Sequence, residues 1–560
     1  MLLIRSKPSE DDILPPHLPD KLHVTTCRTT SFGGLTRADE ADAGCICGMN
    51  DMSPASYPAI RTRSKRCLYT AAPGTGAAHG AALHGDRVII AQGTGLYEAI
   101  EGQPVTNVGT LADSDKTIIS FGDDLLVLPD GYAKRAGADT CTPVNVTTGP
   151  LESAAIMDNL LLVANYDFIG AGFAAGDGIY VEVLGGRSTA YISGYYKIEA
   201  LSEGTLRVRG RFPGNATETV RISRTMPDLV GACVVGDRVY GFKDNEVYVC
   251  EAGNPFNWYA ADPDAPENAP VSFRTGTDTP FTACIAWQGY PTFFKRDRIC
   301  RLVGRSVGYT SDTAKTSSLA LSDLPAPGVG DGMARTLCEI GGALYYCADQ
   351  GIYRYAGSYP VRIDDDLWPE AEPVCGGTDG RSYYLSCVVG GEEKLLVYRP
   401  ESDVGSGWYA ESAAGAVFMT GRSFRLPGSH AAVCLYQTVD GGVRMTSSCG
   451  SPGGEYTVDA GDAVSPFVEF GDELDCMPAE SRLLAVTLRA EGAAGTVMRV
   501  KCRWEGDPVW VTIGTLIGSG ETSLYRIPVL PRPAGWFRLR CEMTGGWTIR
   551  GLWREIENNR

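Results

Sequence analysis

The sequence predicts an all-β protein, a β-propeller of about seven blades with a small inserted β subdomain and a C-terminal β-sandwich. Three observations lead there. Short runs rich in Val, Ile, Tyr and Phe, bounded by Gly or Asp turns, recur along the chain. Their spacing is close to that of radial β repeats. Helix signals are poor, because long 3.6-residue periodicities are scarce and glycine falls almost everywhere.

The repeat is a turn followed by an apolar run, as in Gly85-Asp86-Arg87-Val88-Ile89-Ile90 and Gly122-Asp123-Asp124-Leu125-Leu126-Val127-Leu128. Further copies begin near 157, 236, 288, 341, 379 and 431, the last without the turn residues. Two copies run on through a polar turn into a second strand-like run. These are the hairpins Leu344–Tyr355 and Val239–Cys250. Successive copies are 37, 35, 79, 52, 53, 38 and 52 residues apart. The gap of 79 exceeds one period and predicts an insertion. Residues 166–225, with Ile179-Tyr180-Val181-Glu182-Val183 and Leu206-Arg207-Val208-Arg209, hold enough strand signal for a small β subdomain. The propeller is then expected over 26–165 and 226–464, or seven blades of ~50 residues.

Beyond residue 465 the pattern changes. Leu484-Ala485-Val486-Thr487-Leu488 and Trp536-Phe537-Arg538-Leu539-Arg540 partly alternate in and out, which is β-sandwich patterning over 465–560. Five of the nine tryptophans lie here, at 504, 510, 536, 547 and 553. Their exposed faces would suit sugar rings, but the same alternation serves a strand with one buried face. Residues 1–25, with Pro15-Pro16 and Pro19, read as an extended arm.

Composition bounds the function. The chain has 560 residues, 50 basic and 67 acidic side chains, and a net charge of −17, so nucleic acid is not expected as its main partner. No run of 18 apolar residues occurs, so no membrane-spanning helix is expected, and the start lacks the apolar core of a signal peptide. The 18 cysteines form no CxxC pair and suggest synthesis in a reducing compartment.

Chemical motifs are thin. Asp364-Asp365-Asp366 is a run of carboxylates, but consecutive residues of a strand face opposite ways, and a cation needs converging oxygens. Gly304-Arg305-Ser306-Val307-Gly308 has the letters of a nucleophile elbow without a following helix. His79 and His84 read as surface or turn residues, and Cys45-x-Cys47 as two small residues in a strand or loop. Gly170-Ala171-Gly172 and Gly176-Asp177-Gly178 lack the lysine and helix of a phosphate loop. No catalytic, cofactor-binding or metal-ligating residue is assigned, and the chain is expected not to be an enzyme.

Several segments together resemble structural proteins encoded by tailed phages and prophages of Firmicutes. In order they are Met49–Arg63 (MNDMSPASYPAIRTR), Ala171–Asp177 (AGFAAGD), Gly253–Trp258 (GNPFNW), Phe293–Asp297 (FFKRD), Gly351–Gly357 (GIYRYAG) and Pro533–Leu539 (PAGWFRL). The resemblance implies a virion protein of the minor-tail, tail-hub or head–tail stabilisation kind. Its expected partners are other virion proteins of the tail or neck, in a homo-oligomeric ring. Its place would be the virion, assembled in the host cytoplasm. A receptor- or glycan-binding tail protein, using the tryptophan-rich domain or the propeller mouth, is the alternative.

Overall fold

The computed structural model describes residues 23–36, 45–185, 189–304, 307–310, 314–317, 320–365, 367, 371–401, 406–425, 432–446, 456–473 and 481–558. Their regular structure is all-β, apart from the short helical turn Thr189–Ile192 and brief 3₁₀ turns. Two compact units divide the chain. One comprises 1–64, 399–412 and 463–560, the other 65–398 and 413–462.

In the larger unit, seven antiparallel sheets follow one another at residues 78–110, 117–143, 231–274, 283–325, 338–362, 372–398 and 416–458. Each contains one copy of the turn-and-run repeat as its second strand: Arg87–Gln92, Asp124–Leu128, Arg238–Lys243, Tyr290–Lys295, Ala343–Ala348, Tyr383–Val389 and Leu435–Thr438. In the first five sheets the local reason is the two-residue hairpin that leads into this strand. Such turns need left-handed backbone, and Gly341 and Gly342 supply it at φ 58° and 81°.

The opening strands of neighbouring sheets lie side by side. Ala78–His84 touches Thr117–Phe121, which touches Gly231–Val235, which touches Ala283–Trp287. Cys338–Ile340 touches Glu372–Thr378, which touches Ala416–Met419, and that strand returns to Ala78–His84. Apolar faces fill the layers between them. Ile89 and Val127 share one layer, Phe242 and Phe293 another, and Phe294 and Tyr346 a third. Val88 and Ile90 meet Leu435 and Met445, so the last sheet packs on the first. Each fully buried side chain of this size contributes about 1.5–3 kcal/mol. The last sheet is completed by Cys67–Thr70, which pairs with both Val443–Met445 and Thr457–Val458.

The eighth copy of the repeat, at 157–163, lies elsewhere. Leu151–Met157 and Leu160–Leu162 join Gly178–Val183, Gly194–Ser202, Thr205–Val208 and Ala216–Arg224 in a closed six-stranded barrel. The inserted body thus begins near residue 146, earlier than the expected 166. A hairpin looks the same in sequence whichever sheet it joins, so the local pattern does not separate this copy from the others. The barrel has its own core of Ile156, Leu161, Phe168, Ile179, Ile198 and Val220.

The smaller unit holds two antiparallel sheets. The five-stranded one has the order Ile46–Asn50, Phe467–Glu473, Trp536–Met543, Val497–Trp504, Val511–Ile517. In the other, Trp547–Asn558 pairs with Arg482–Gly492, Ile60–Thr62 and His23–Thr29. Ile46–Asn50 and Ile60–Thr62, in a stretch expected with the propeller, therefore pair with the C-terminal strands. Of the expected arm, residues 1–22 lie outside the described residues, and His23 onward is strand.

Candidate functional site

The chemistry-bearing side chains gather first where the barrel joins the sheets. Asp177 stands in the turn before Gly178–Val183 with its side chain 1% exposed. It accepts hydrogen bonds from Arg135 Nη2 at 2.7 Å, from the Ala174 amide at 2.8 Å and from Arg224 Nη1. Arg224 also donates to the carbonyls of Val144 (2.7 Å) and Gly172 (2.9 Å). Burial pushes the Arg224 guanidinium below its usual range, and Asp177 offsets only part of that.

Beside it, Lys197 of the barrel donates to Glu251 (2.6 Å) and Asp262 (3.0 Å). Glu251 also accepts from the amides of Asn254 (3.1 Å) and Asn257 (3.0 Å), and Asn254 donates to the Gly176 carbonyl at 2.7 Å. Burial alone would raise the Asp262 carboxyl, but hydrogen bonds from Lys197 and the Asp264 amide and the charge of Arg209 hold it below the usual range. Two of the resembling segments, 171–177 and 253–258, thus meet in one buried polar joint. Gly178 is required there by close approach, since a Cβ would lie 2.0 Å from Asn257 Oδ1. Gly178→Ala is expected to destabilise the larger unit by about 1–3 kcal/mol, read as a lowered transition in scanning calorimetry; an unchanged transition would refute the close fit.

The segment 49–63 builds a second joint within the smaller unit. Asp51 is fully buried at φ 53°. It accepts from Arg63 Nε (2.6 Å), the Ser412 amide (2.9 Å) and hydroxyl (2.7 Å), and the Ser465 amide (2.7 Å). Burial alone would raise its carboxyl, but these amides and the Arg63 charge outweigh it and hold the group below the carboxylate range.

His79, expected at the surface, is buried on the opening strand of the first sheet. Its Nε2 meets Asp113 Oδ1 at 2.6 Å and its Nδ1 meets Asp115 Oδ1 at 3.0 Å, and Arg335 also bonds Asp115. The ring donates to both carboxylates only in its doubly protonated form. Arg335 in turn lies 4.1 Å over the Phe418 ring, so this cluster ties the first and seventh sheets to the connections that lead into the second and fifth. His84 meets the Ser120 hydroxyl at 2.8 Å.

A cleft of about 710 Å³ opens between the fourth and fifth sheets, lined by Arg296, Asp297, Asp331, Asp349 and Tyr359. Arg296 Nε donates to Asp349 at 2.7 Å, and its guanidinium is 3.5 Å from Asp331. The cleft's charges are therefore satisfied by one another. Lys295 next to it is buried, donating to the hydroxyls of Thr275 (2.8 Å) and Thr277 (2.7 Å), and burial lowers its ammonium pKa.

The other sequence candidates stay apart. Asp364 bonds Arg362 at 2.6 Å, while Asp366 lies outside the described residues, as do Arg305 and Ser306 of the serine motif. Cys47 lies in the strand Ile46–Asn50 with Cys45 just before it, as expected, whereas Cys67 is disulfide-bonded, which departs from the expectation of thiols. Gly170 and Gly172 lie in turns, as expected, but Asp177 between Gly176 and Gly178 is the hub of a joint. Among the described residues no cluster of His, Cys, Asp and Glu is arranged to hold a metal, and no helix is long and apolar enough to cross a membrane. Trp504 and Trp547 are core residues, whereas Trp510, Trp536 and Trp553 are half-buried.

No family model matches the chain, and no curated protein matches its sequence. Solved structures similar to it include a computationally designed protein, Ika8, at 12% identity and TM-score 0.34, covering 68% of this chain and 99% of that one. AztD from Citrobacter koseri is similar at 10% identity and TM-score 0.30, covering 86% and 99%. An exo-β-1,3-galactanase from Phanerochaete chrysosporium is similar at 11% identity and TM-score 0.21, covering 87% and 100%. The last of these is an enzyme, so the expectation of a non-enzymatic chain is corrected and not retained. At these scores the likeness carries no argument about this chain's own chemistry.

Proposed function

We propose that this chain is a structural component of a phage virion, in the tail, tail hub or neck, making protein–protein contacts during assembly. In this reading the seven sheets are the blades of a β-propeller, the six-stranded barrel is inserted between its second and third blades, and the two remaining sheets form a terminal β-sandwich. The contacts between opening strands, and a last sheet that packs on the first, support the propeller.

The observation that carries the functional reading is the place of the resembling segments. Residues 49–63 supply Asp51 and Arg63 to one buried joint, and 171–177 meets 253–258 in the other. The likeness to virion proteins thus falls on residues that fasten the modules of a scaffold. Cryo-electron microscopy of purified virions tests it. Propeller-shaped density in a symmetric ring at the neck or tail is the expected result, and absence of the chain from the particle would sink the proposal.

One observation favours the alternative, a receptor- or glycan-binding tail protein. Tyr195 and Tyr259 are exposed and stack at 5.2 Å, with Tyr180 4.9 Å from Tyr195. Exposed aromatic rings of this kind suit apolar sugar faces. Under that reading Tyr195→Ala and Tyr259→Ala abolish retention on host-wall glycans without changing the thermal transitions; retention equal to wild type would remove it.

A further inference from the structure

The outer face of the five-stranded terminal sheet is basic, although the chain is acidic. Met498, Val500 and Cys502 of one strand and Phe537, Leu539 and Cys541 of its neighbour are buried. By alternation, Arg499, Lys501, Arg503, Arg538 and Arg540 stand together on the opposite face. The pairing register sets Lys501 directly across from Arg540, and Arg503 across from Arg538. Like charges directly opposite on a sheet are destabilising.

Two carboxylates answer part of this charge. Glu542 lies 2.6 Å from Lys501 and 3.2 Å from Arg540, and Glu469 lies 3.8 Å from Arg540. The register sets Glu542 across from Arg499, but Glu542 bonds Lys501 and Arg540 instead, and among the described residues neither Arg499 nor Arg503 forms an ion pair. Aromatic rings hold the guanidinium groups in place: Arg503 lies 5.0 Å over Trp510, Arg538 5.6 Å over Trp536, and Arg540 4.0 Å over Phe467. At the edge strand of the same sheet, Ile517, paired with Val497 on this face, is 66% exposed. Excess cations on a rigid sheet, bordered by an exposed apolar side chain, form a surface complementary to an acidic protein face.

We propose that this face docks a second copy of the chain through the acidic surface of that copy's larger unit. Residues 65–398 and 413–462 carry 30 basic and 44 acidic side chains, a net of −14, against 20 and 23 in the remainder. A basic face on one unit and an acidic surface on the other make a heterologous contact, which repeats into a ring when its rotation closes. The net charge of −17 favours this occupant over nucleic acid, because a long polyanion is repelled by the rest of the molecule. The inference rests on the assembly role proposed above and supplies its contact.

The test uses the full chain, with mass measured by light scattering after size exclusion at about 50 mM and about 500 mM salt. Self-association at low salt that dissolves at high salt is expected. Arg499→Glu with Arg503→Glu is expected to weaken it about tenfold or more, with thermal transitions unchanged. Arg499→Gln with Arg503→Gln is a milder pair should the reversal disturb folding, and it is expected to weaken association less. A monomer at every salt concentration, or variants that assemble as wild type, would overturn the proposal. So would retention of a DNA duplex that both variants lose while the protein stays monomeric. The two readings fail separately: particles that contain the chain while the variants still assemble refute only this contact, whereas absence from particles refutes only the virion role.

Discussion

Replacing Asp51 by asparagine is expected to destabilise the smaller unit by about 3–5 kcal/mol, the cost of leaving one partner of a buried ion pair uncompensated. Arg63, 3% exposed, would lose its 2.6 Å carboxylate partner and keep its charge beside the more distant Glu411 carboxylate, 3.8 Å away. The Ser412 and Ser465 amides would face a weaker acceptor, or the amide nitrogen of the new side chain. Scanning calorimetry reads this as a lowered transition of the unit containing residues 463–560, with the other unit's transition unmoved. A loss below about 1 kcal/mol would show that the joint is not a hub. The pH dependence has a definite sign. A carboxyl whose folded pKa is depressed contributes fully above its unfolded value of about 3.9 and loses that contribution as pH falls through the folded value. Wild type is therefore expected to lose this unit's stability in acid below about pH 4, and Asp51→Asn to flatten that loss.

Asp177→Asn is expected to act with similar size, about 3–5 kcal/mol, on the larger unit. Arg224, 3% exposed, loses its carboxylate, and burial already disfavours its charge. Arg135, 30% exposed, keeps access to water, so Arg135→Ala should cost less than half as much. Limited proteolysis gives an independent reading, because cleavage within 146–224 should accelerate in Asp177→Asn while the seven sheets stay resistant. Equal protection of wild type and variant would show that Asp177 does not hold the barrel.

The strands were legible where their cause is local. A glycine at positive φ in a two-residue turn precedes an apolar run in the first five sheets, and each of these five marks begins the second strand of its sheet. The copy at 157 carries the same local signal, yet its partners around the barrel are set by burial of Ile156 and Leu161 in a separate core. The joints were silent for a related reason. Asp51 is a lone acid between Asn50 and Met52, and its partners Ser412 and Ser465 lie 361 and 414 residues away. His79 looked exposed because its setting is small and glycine-rich, but Asp113 and Asp115 reach it from the next connection. Asn254 and Asn257 had a possible signal: two amides spaced to bracket a turn beside a tryptophan, in a segment with no strand pattern of its own.

The pairing of Cys67–Thr70 with both Val443–Met445 and Thr457–Val458 also sets a timetable for synthesis. That strand leaves the ribosome before any other strand of its sheet, but its second neighbour emerges almost 390 residues later. At 5–20 residues per second the wait is roughly 20–80 s. Throughout it the first-made strand has two open edges, and the nascent chain holds sheets that can stack in order but not yet meet end to end. Premature pairing of that strand with a neighbouring nascent chain on the same polysome is the characteristic error this arrangement invites, and fast elongation with widely spaced ribosomes is the condition that suppresses it.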